Sequence, residues 1–347
     1  MSRIKSVLGL IAGNISLFLV LILLAEGFAR WICAGQLEAL FPDHLSNEQQ
    51  LPMVVDHPHR GVSLRANFRD DLIQVNDQGF RGSKLPKLEA PGKVILALGD
   101  STTFGWGVSN DETYPAQLER LLGSETLRVV NGGVPGYTSA QVRVYLEELL
   151  APESPVRPDL LLLSVSWNDI WTSSVVNWRR EQLIFRRPKG LRRWLGEYSG
   201  IYRCLLLMRA TQSELVDVWN PGAFEAYREN IEAMMAQSRD AGLQMVLFEP
   251  TFAASMMPEG GLNRFHITYT RDFFIEVAER YQGAVADLAA NYDVPILKHR
   301  VALGHEDLGE EMFLDPIHAN GLGNSLLAKD MAALLMEQGL VEQGRAE

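Results

Sequence analysis

Runs of continuous apolar residues alternate with amphipathic helical patterns from residue 94 onward, and few folds satisfy that alternation. "VILAL" (94–98), "LRVVN" (127–131), "DLLLLSVS" (159–166), "QMVLFEP" (244–250) and the short "AVADL" (284–288) read as strands. "YPAQLERLLG" (114–123), "TSAQVRVYLEELL" (138–150), "AFEAYRENIEAMMAQSRDAG" (223–242), "TRDFFIEVAERYQG" (270–283) and "ANGLGNSLLAKDMAALLMEQG" (319–339) read as helices. Strands that are apolar on both faces, separated by amphipathic helices, predict an α/β fold whose parallel sheet is covered on both sides. In open sheets of this kind ligands bind beyond the carboxyl ends of the strands. The loops that follow the strands are therefore where chemistry is expected.

The N-terminus carries a second constraint. Val7 to Ala25 is nineteen residues without a charge, close to the ~20 needed to span a bilayer as a helix. Arg3 and Lys5 precede it, which favours a cytoplasmic N-terminus and an extracytoplasmic remainder. A signal peptide is the alternative, with secretion after cleavage, but the run is long and "LAEGFARW" offers no good small-x-small site. Residues 1–33 are thus expected to be a single-pass membrane anchor, and 34–93 a lead-in that packs on the core. The main domain is expected to span 94–340, with an insertion at about 172–210. Within that insertion, Trp178 to Arg209 holds eight arginines and Lys189 against Glu181 and Glu197, together with Trp178, Phe185 and Trp194. It reads as a solvated flap or, more sharply, as a surface that rests on lipid headgroups or grips an anionic polymer.

The net charge of −11 excludes a chain built overall to hold nucleic acid. Cys33 and Cys204 make neither a zinc-type spacing nor a disulfide framework and are expected to stay unpaired. No dinucleotide or phosphate-loop fingerprint is present, so no cofactor is expected, and the scattered histidines suggest no metal site.

Four loops collect residues suited to acyl transfer. Gly99-Asp100-Ser101 follows the first strand, and "NGGVPGYT" (131–138) follows the second. Ser166-Trp167-Asn168-Asp169 follows the third, and "FLDPIHANG" (313–321) precedes the last helix. Each alone is commonplace. Together, at one edge of one sheet, they supply a serine nucleophile, Ser101, and a base, His318. They also supply an aspartate three residues before the base, Asp315, to orient the imidazole. The Ser101 N–H, the Gly133 N–H and the Asn168 amide are candidate oxyanion donors. His299 and His305 are candidates to line the cleft, His266 reads as a surface residue, and His44, His57 and His59 belong to the lead-in. Trp106, Trp167 and Trp171 lie near the motifs and read as pocket walls or as core packing.

Gly99-Asp100-Ser101, the glycine loop, Asn168-Asp169 and Asp315-x-x-His318, in this order over about residues 94–335, resemble the SGNH (GDSL-type) hydrolase superfamily. The resemblance implies a flavodoxin-like three-layer α/β/α fold with Ser101 as nucleophile. It implies Gly133 and Asn168 in the oxyanion hole, and His318 with Asp315 completing the triad. Asp100 and Asp169 become supporting residues. The sequence departs from the family pattern at Ser166, where glycine is usual. The implied activity is carboxylester hydrolysis on a lipid, glycan or small ester. The alternative is O-acyl transfer to an envelope polysaccharide, with a membrane acyl-transfer or polysaccharide partner. A non-catalytic binding protein is the third reading.

Overall fold

The computed structural model describes residues 2–40, 53–82, 92–123, 126–173, 178–184, 186, 189–202, 204–205, 217–249, 251–257, 262–264, 267–298 and 309–342. The chain divides into two units: 48–186, 215–262 and 267–347 in one, and 1–47, 187–214 and 263–266 in the other.

The larger unit is built on a five-stranded parallel sheet. Its strands are β3 (Lys93–Gly99), β4 (Leu127–Gly133), β5 (Leu160–Ser164), β6 (Gln244–Phe248) and β7 (Ile296–Leu297), in the spatial order β4-β3-β5-β6-β7. Numbered along the chain this is 2-1-3-4-5, the flavodoxin-like order, with its switch point between the first and third strands. Gly99 pairs with Gly133 on one side and with Ser164 on the other, so β3, β4 and β5 end in line. The loops that follow them therefore converge.

Alternation along the strands sends neighbouring residues to opposite faces. Ile95, Ala97, Leu160, Leu162, Val246 and Phe248 point to one face. There they pack against helix α3 (Tyr114–Leu122) and helix α9 (Gly321–Glu337) through Leu118, Leu122, Met331 and Leu335. Leu96, Leu98, Leu161, Leu163, Met245 and Leu247 are equally buried on the other face. That face carries helices α4 (Ser139–Leu150), α7 (Pro221–Asp240) and α8 (Arg271–Tyr292). The result is the expected three-layer sandwich. Local signals set the helix ends. Thr113 caps α3 with its side chain on the Ala116 N–H, and Gly123 closes it in the left-handed region at φ 57°.

The fifth strand is not where its apolar run suggests. "AVADL" belongs to α8, whose buried residues Val277, Ala278, Tyr281, Ala284, Val285 and Leu288 keep helical spacing through Gly283. An apolar run of five cannot distinguish a strand from a buried helix turn, and the period of its neighbours decides. The strand is Ile296–Leu297 instead, after a cap at Asp293.

Residues 53–82 of the lead-in belong to this unit. β1 (Val54–His57) and β2 (Gly61–Leu64) form an antiparallel hairpin. Arg81 then bridges to Asn131 of β4. Residues 83–91 of the lead-in lie outside the described residues.

The second unit is organised around α1 (Ser2–Leu40), whose stretch Gly13–Ile32 is long and apolar enough to cross a membrane. A signal sequence has the same character. Its apolar side chains, such as Leu19, Leu23 and Leu24, are exposed. Residues 187–214 belong to this unit and not to the catalytic one. They include helix α6 (Leu191–Tyr198) and helical residues at 200–202 and 204–205. The expectation of unpaired cysteines fails for Cys204, which is disulfide-bonded. The Cys204 Sγ lies 3.9 Å from the carbonyl of Ala29, 175 residues away, a proximity that no spacing rule reports.

Candidate active site

Strand β3 ends at Gly99 because nothing larger fits there. A Cβ would sit 2.0 Å from the Ser164 carbonyl oxygen and 2.3 Å from the Thr103 hydroxyl. The chain turns at once into the short helix α2 (Ser101–Phe104). Asp100 is its N-cap, accepting from the Thr102 N–H at 2.9 Å and the Thr102 hydroxyl at 2.8 Å. Ser101 thus occupies the first position of a helix at the carboxyl edge of the sheet.

His318 Nε2 stands 2.8 Å from Ser101 Oγ, and His318 Nδ1 stands 2.7 Å from Asp315 Oδ2. The other Asp315 oxygen accepts the backbone N–H groups of Ile317 (3.0 Å) and His318 (2.9 Å). One turn therefore presents the base and its orienting carboxylate together. Burial works to raise the Asp315 pKa, but the His318 charge and these hydrogen bonds overcome it and hold the group at about 2. Asp315 is therefore a carboxylate at neutral pH.

Asn168 lies in helix α5 (Trp167–Thr172) and donates one amide hydrogen to the Tyr137 carbonyl at 2.9 Å. An amide has two hydrogens, so the second is left for a ligand. Asp169 is fully buried. It accepts the Ser139 N–H at 2.7 Å and the Ser139 hydroxyl at 2.6 Å, tying α5 to the start of α4. Burial pushes its pKa up to about 7, and burial likewise raises that of Asp100. Ser166, at the position where the resembled family usually has glycine, stands at the start of α5.

The glycine loop requires a correction. The Gly133 N–H, expected to face the oxyanion, donates to Asn131 Oδ1 at 3.0 Å. Glycine is required at 133 for another reason: a Cβ would lie 2.2 Å from the Phe104 nitrogen, inside the backbone of α2. Gly136 differs. The Tyr137 N–H bonds to the Val134 carbonyl at 3.2 Å, closing a turn with Pro135 and Gly136 at its centre. Gly136 has φ 81°, as the second central residue of a type II turn must. Its N–H donates to none of the described residues. The signal for it is the dipeptide Pro-Gly in "VPGYT".

Arg81 also escapes the sequence reading. Its buried guanidinium bonds the carbonyls of Phe104 (2.8 Å), Gly105 (2.5 Å) and Val108 (2.5 Å), bracing the segment behind the nucleophile. Among the nearby tryptophans, Trp106 and Trp167 are buried. Trp167 stacks on Phe274 with centroids 5.7 Å apart, and Trp171 stacks on the same ring at 5.5 Å. His57 accepts the Arg60 N–H at 3.2 Å, and His57 and His59 meet edge to face. His44, His266, His299 and His305 lie outside the described residues. Among the described residues no cluster of histidine, cysteine or carboxylate side chains is placed to hold a metal ion.

The profile of the GDSL-like lipase/acylhydrolase family matches residues 97–326, which contain Ser101, Gly136, Asn168, Asp315 and His318. The chain belongs to that family. It is therefore an ester-hydrolysing enzyme of the GDSL type. Solved structures similar to it include the acetylxylan esterase Axe2 from Geobacillus stearothermophilus, at 18% identity and TM-score 0.45, covering 76% of this chain and all (100%) of that one. A lipase/acylhydrolase from Enterococcus faecalis is 17% identical at TM-score 0.44, covering 73% and 100%. A lipolytic protein of the G-D-S-L family from Veillonella parvula DSM 2008 is 13% identical at TM-score 0.43, covering 71% and 97%. No curated protein matches the chain.

Proposed function

We propose that this GDSL-type enzyme is a membrane-anchored serine carboxylesterase whose catalytic unit works outside the cytoplasm through an acyl-Ser101 intermediate. The observation that carries the chemistry is the unbroken chain of short contacts from Ser101 Oγ through the His318 ring to Asp315. His318 Nε2 takes the hydroxyl proton as Ser101 Oγ attacks the ester carbonyl carbon. Asp315 holds the ring in the tautomer that leaves Nε2 free to accept, and its charge stabilises the imidazolium. The oxyanion is held by the Ser101 N–H, the Gly136 N–H and the free Asn168 amide hydrogen. The carbonyl re-forms, the alkoxide leaves with the proton from His318, and water repeats the sequence to release the acid.

The anchor rests on α1, with Arg3 and Lys5 ahead of its apolar run. The disulfide at Cys204 fits an oxidising compartment. The substrate is an acyl ester of a lipid, a glycan or a small molecule.

The test is hydrolysis of p-nitrophenyl esters, acetyl through octanoyl, by the full-length protein in detergent, with glycan acceptors present or absent. Ester cleavage to the free acid, lost in Ser101→Ala, is the expected result. Transfer to a sugar hydroxyl outrunning transfer to water would make the enzyme an O-acyltransferase. Cleavage unchanged in Ser101→Ala would overturn the proposal.

A further inference from the structure

The basic, aromatic segment takes no part in this chemistry, yet it has a definite build. In α6 the side chains of Leu191, Trp194 and Tyr198 recur at positions i, i+3 and i+7, so they share one helix face. They are 69%, 56% and 59% exposed, and the two aromatic rings meet at 6.1 Å. Large apolar side chains gathered on one face of a short helix mark a surface made to be covered. Lys189 and Arg192 beside them are exposed too.

The segment is fastened to α1 at a particular depth. Glu26 is the first charged residue after the Val7–Ala25 run. Its carboxylate accepts the N–H groups of Gly200 and Ile201 and the Ser199 hydroxyl, the last two at 3.2 and 3.1 Å. Arg30 bonds Glu26 at 3.1 Å and donates to the Tyr198 carbonyl at 2.7 Å. Further along, Cys204 lies beside Ala29. These contacts hold the C-terminal end of α6 at the level of Glu26 and Arg30, the first charged residues past the uncharged run Val7–Ala25. In a helix that spans a bilayer, that level is the headgroup region.

We infer that α6 is an interfacial helix that docks on the anionic lipid surface of the membrane crossed by its own anchor. Leu191, Trp194 and Tyr198 enter the headgroup–acyl boundary, and Lys189 and Arg192 meet lipid phosphates. The charge balance selects lipid as the cover. A chain of net charge −11 is repelled by an anionic surface unless it presents a local basic patch. "KGLRRW" is such a patch, with aromatic side chains suited to an interface. The inference rests on the reading of α1 as a membrane anchor.

The test uses the full-length protein in phosphatidylcholine vesicles, with and without phosphatidylglycerol, whose acyl chains are brominated near the headgroup or near mid-chain. Tryptophan quenching is compared between the wild type and Trp194→Phe, and carbonate extraction is run on the same vesicles. The expected result is quenching by the shallow bromines that is partly lost in Trp194→Phe. That share is expected to be larger with phosphatidylglycerol, and to lose its dependence on anionic lipid in a Lys189→Glu, Arg192→Glu double variant. Equal quenching of the wild type and Trp194→Phe in every vesicle, with the protein retained after carbonate, would overturn this inference and leave the anchor standing. Release by carbonate would overturn the anchor reading and this inference with it.

Discussion

In the proposed mechanism Asn168 and Gly136 donate to the same oxyanion. Asn168→Ala removes an oxyanion donor together with its bond to the Tyr137 carbonyl, and kcat for ester cleavage is expected to fall by about 10²-fold or more with KM little changed. Steady-state kinetics read this directly. Asp315→Asn keeps the shape of the turn but no longer fixes the His318 tautomer, and is expected to cost on the order of 10⁴ in kcat. Because Asp315 is held at about 2, its contribution to stability is fully present above pH ~4 and is lost only as pH falls through that value. Ser101, Asp315 and His318 were legible because each sits in a short motif whose chemistry is local. The second glycine donor was not. Three glycines share one loop, and which N–H is already bonded depends on the Asn131 side chain, which a one-dimensional pattern does not contain.

At the scale of elements, two glycines and a buried carboxylate hold the nucleophile's helix in place. Gly133→Ala is expected to lower stability by about 2 kcal/mol or more, through overpacking against α2, and to lower activity with it. Thermal melts and ester turnover measured together check this. Asp169 has a distinct signature. Its folded pKa of about 7 lies above the unfolded value near 3.8, so the folded form binds the extra proton between those two pH values. Its contribution to stability therefore falls as pH rises across that window, by up to about 1.4 kcal/mol per unit. The Asp169→Asn variant lacks this slope. The stability of wild type relative to Asp169→Asn is expected to decline from pH ~4 to ~7 in denaturant titrations, and a constant difference would contradict the assignment. Elements whose apolar spacing is uniform, such as α3 and β5, were legible to within a residue or two. The strand at 296–297 was not, because two residues carry no period and the stronger helical period of α8 absorbed the run before it.

At the scale of the whole molecule, the chain joins a family catalytic unit to an apolar helix and a basic segment that belong together. The sequence marked all three but placed the basic segment as an insertion in the catalytic domain. The polar contacts of Glu26 and Arg30, made across more than 160 residues of sequence, are what assign it to α1. In cells the full-length protein is expected to sediment with membranes and to resist carbonate extraction. A protease added from outside the cytoplasm is expected to reach its catalytic unit.

The central claim is that Ser101 is a nucleophile made reactive by His318, and one measurement addresses it without knowledge of the natural substrate. The full-length protein is treated with a fluorophosphonate, digested, and its peptides are weighed. One phosphonyl adduct is expected, on Ser101, and it disappears in His318→Ala while the variant keeps its fold by circular dichroism. An unlabelled Ser101 in folded wild-type protein, or labelling undiminished in His318→Ala, would contradict it.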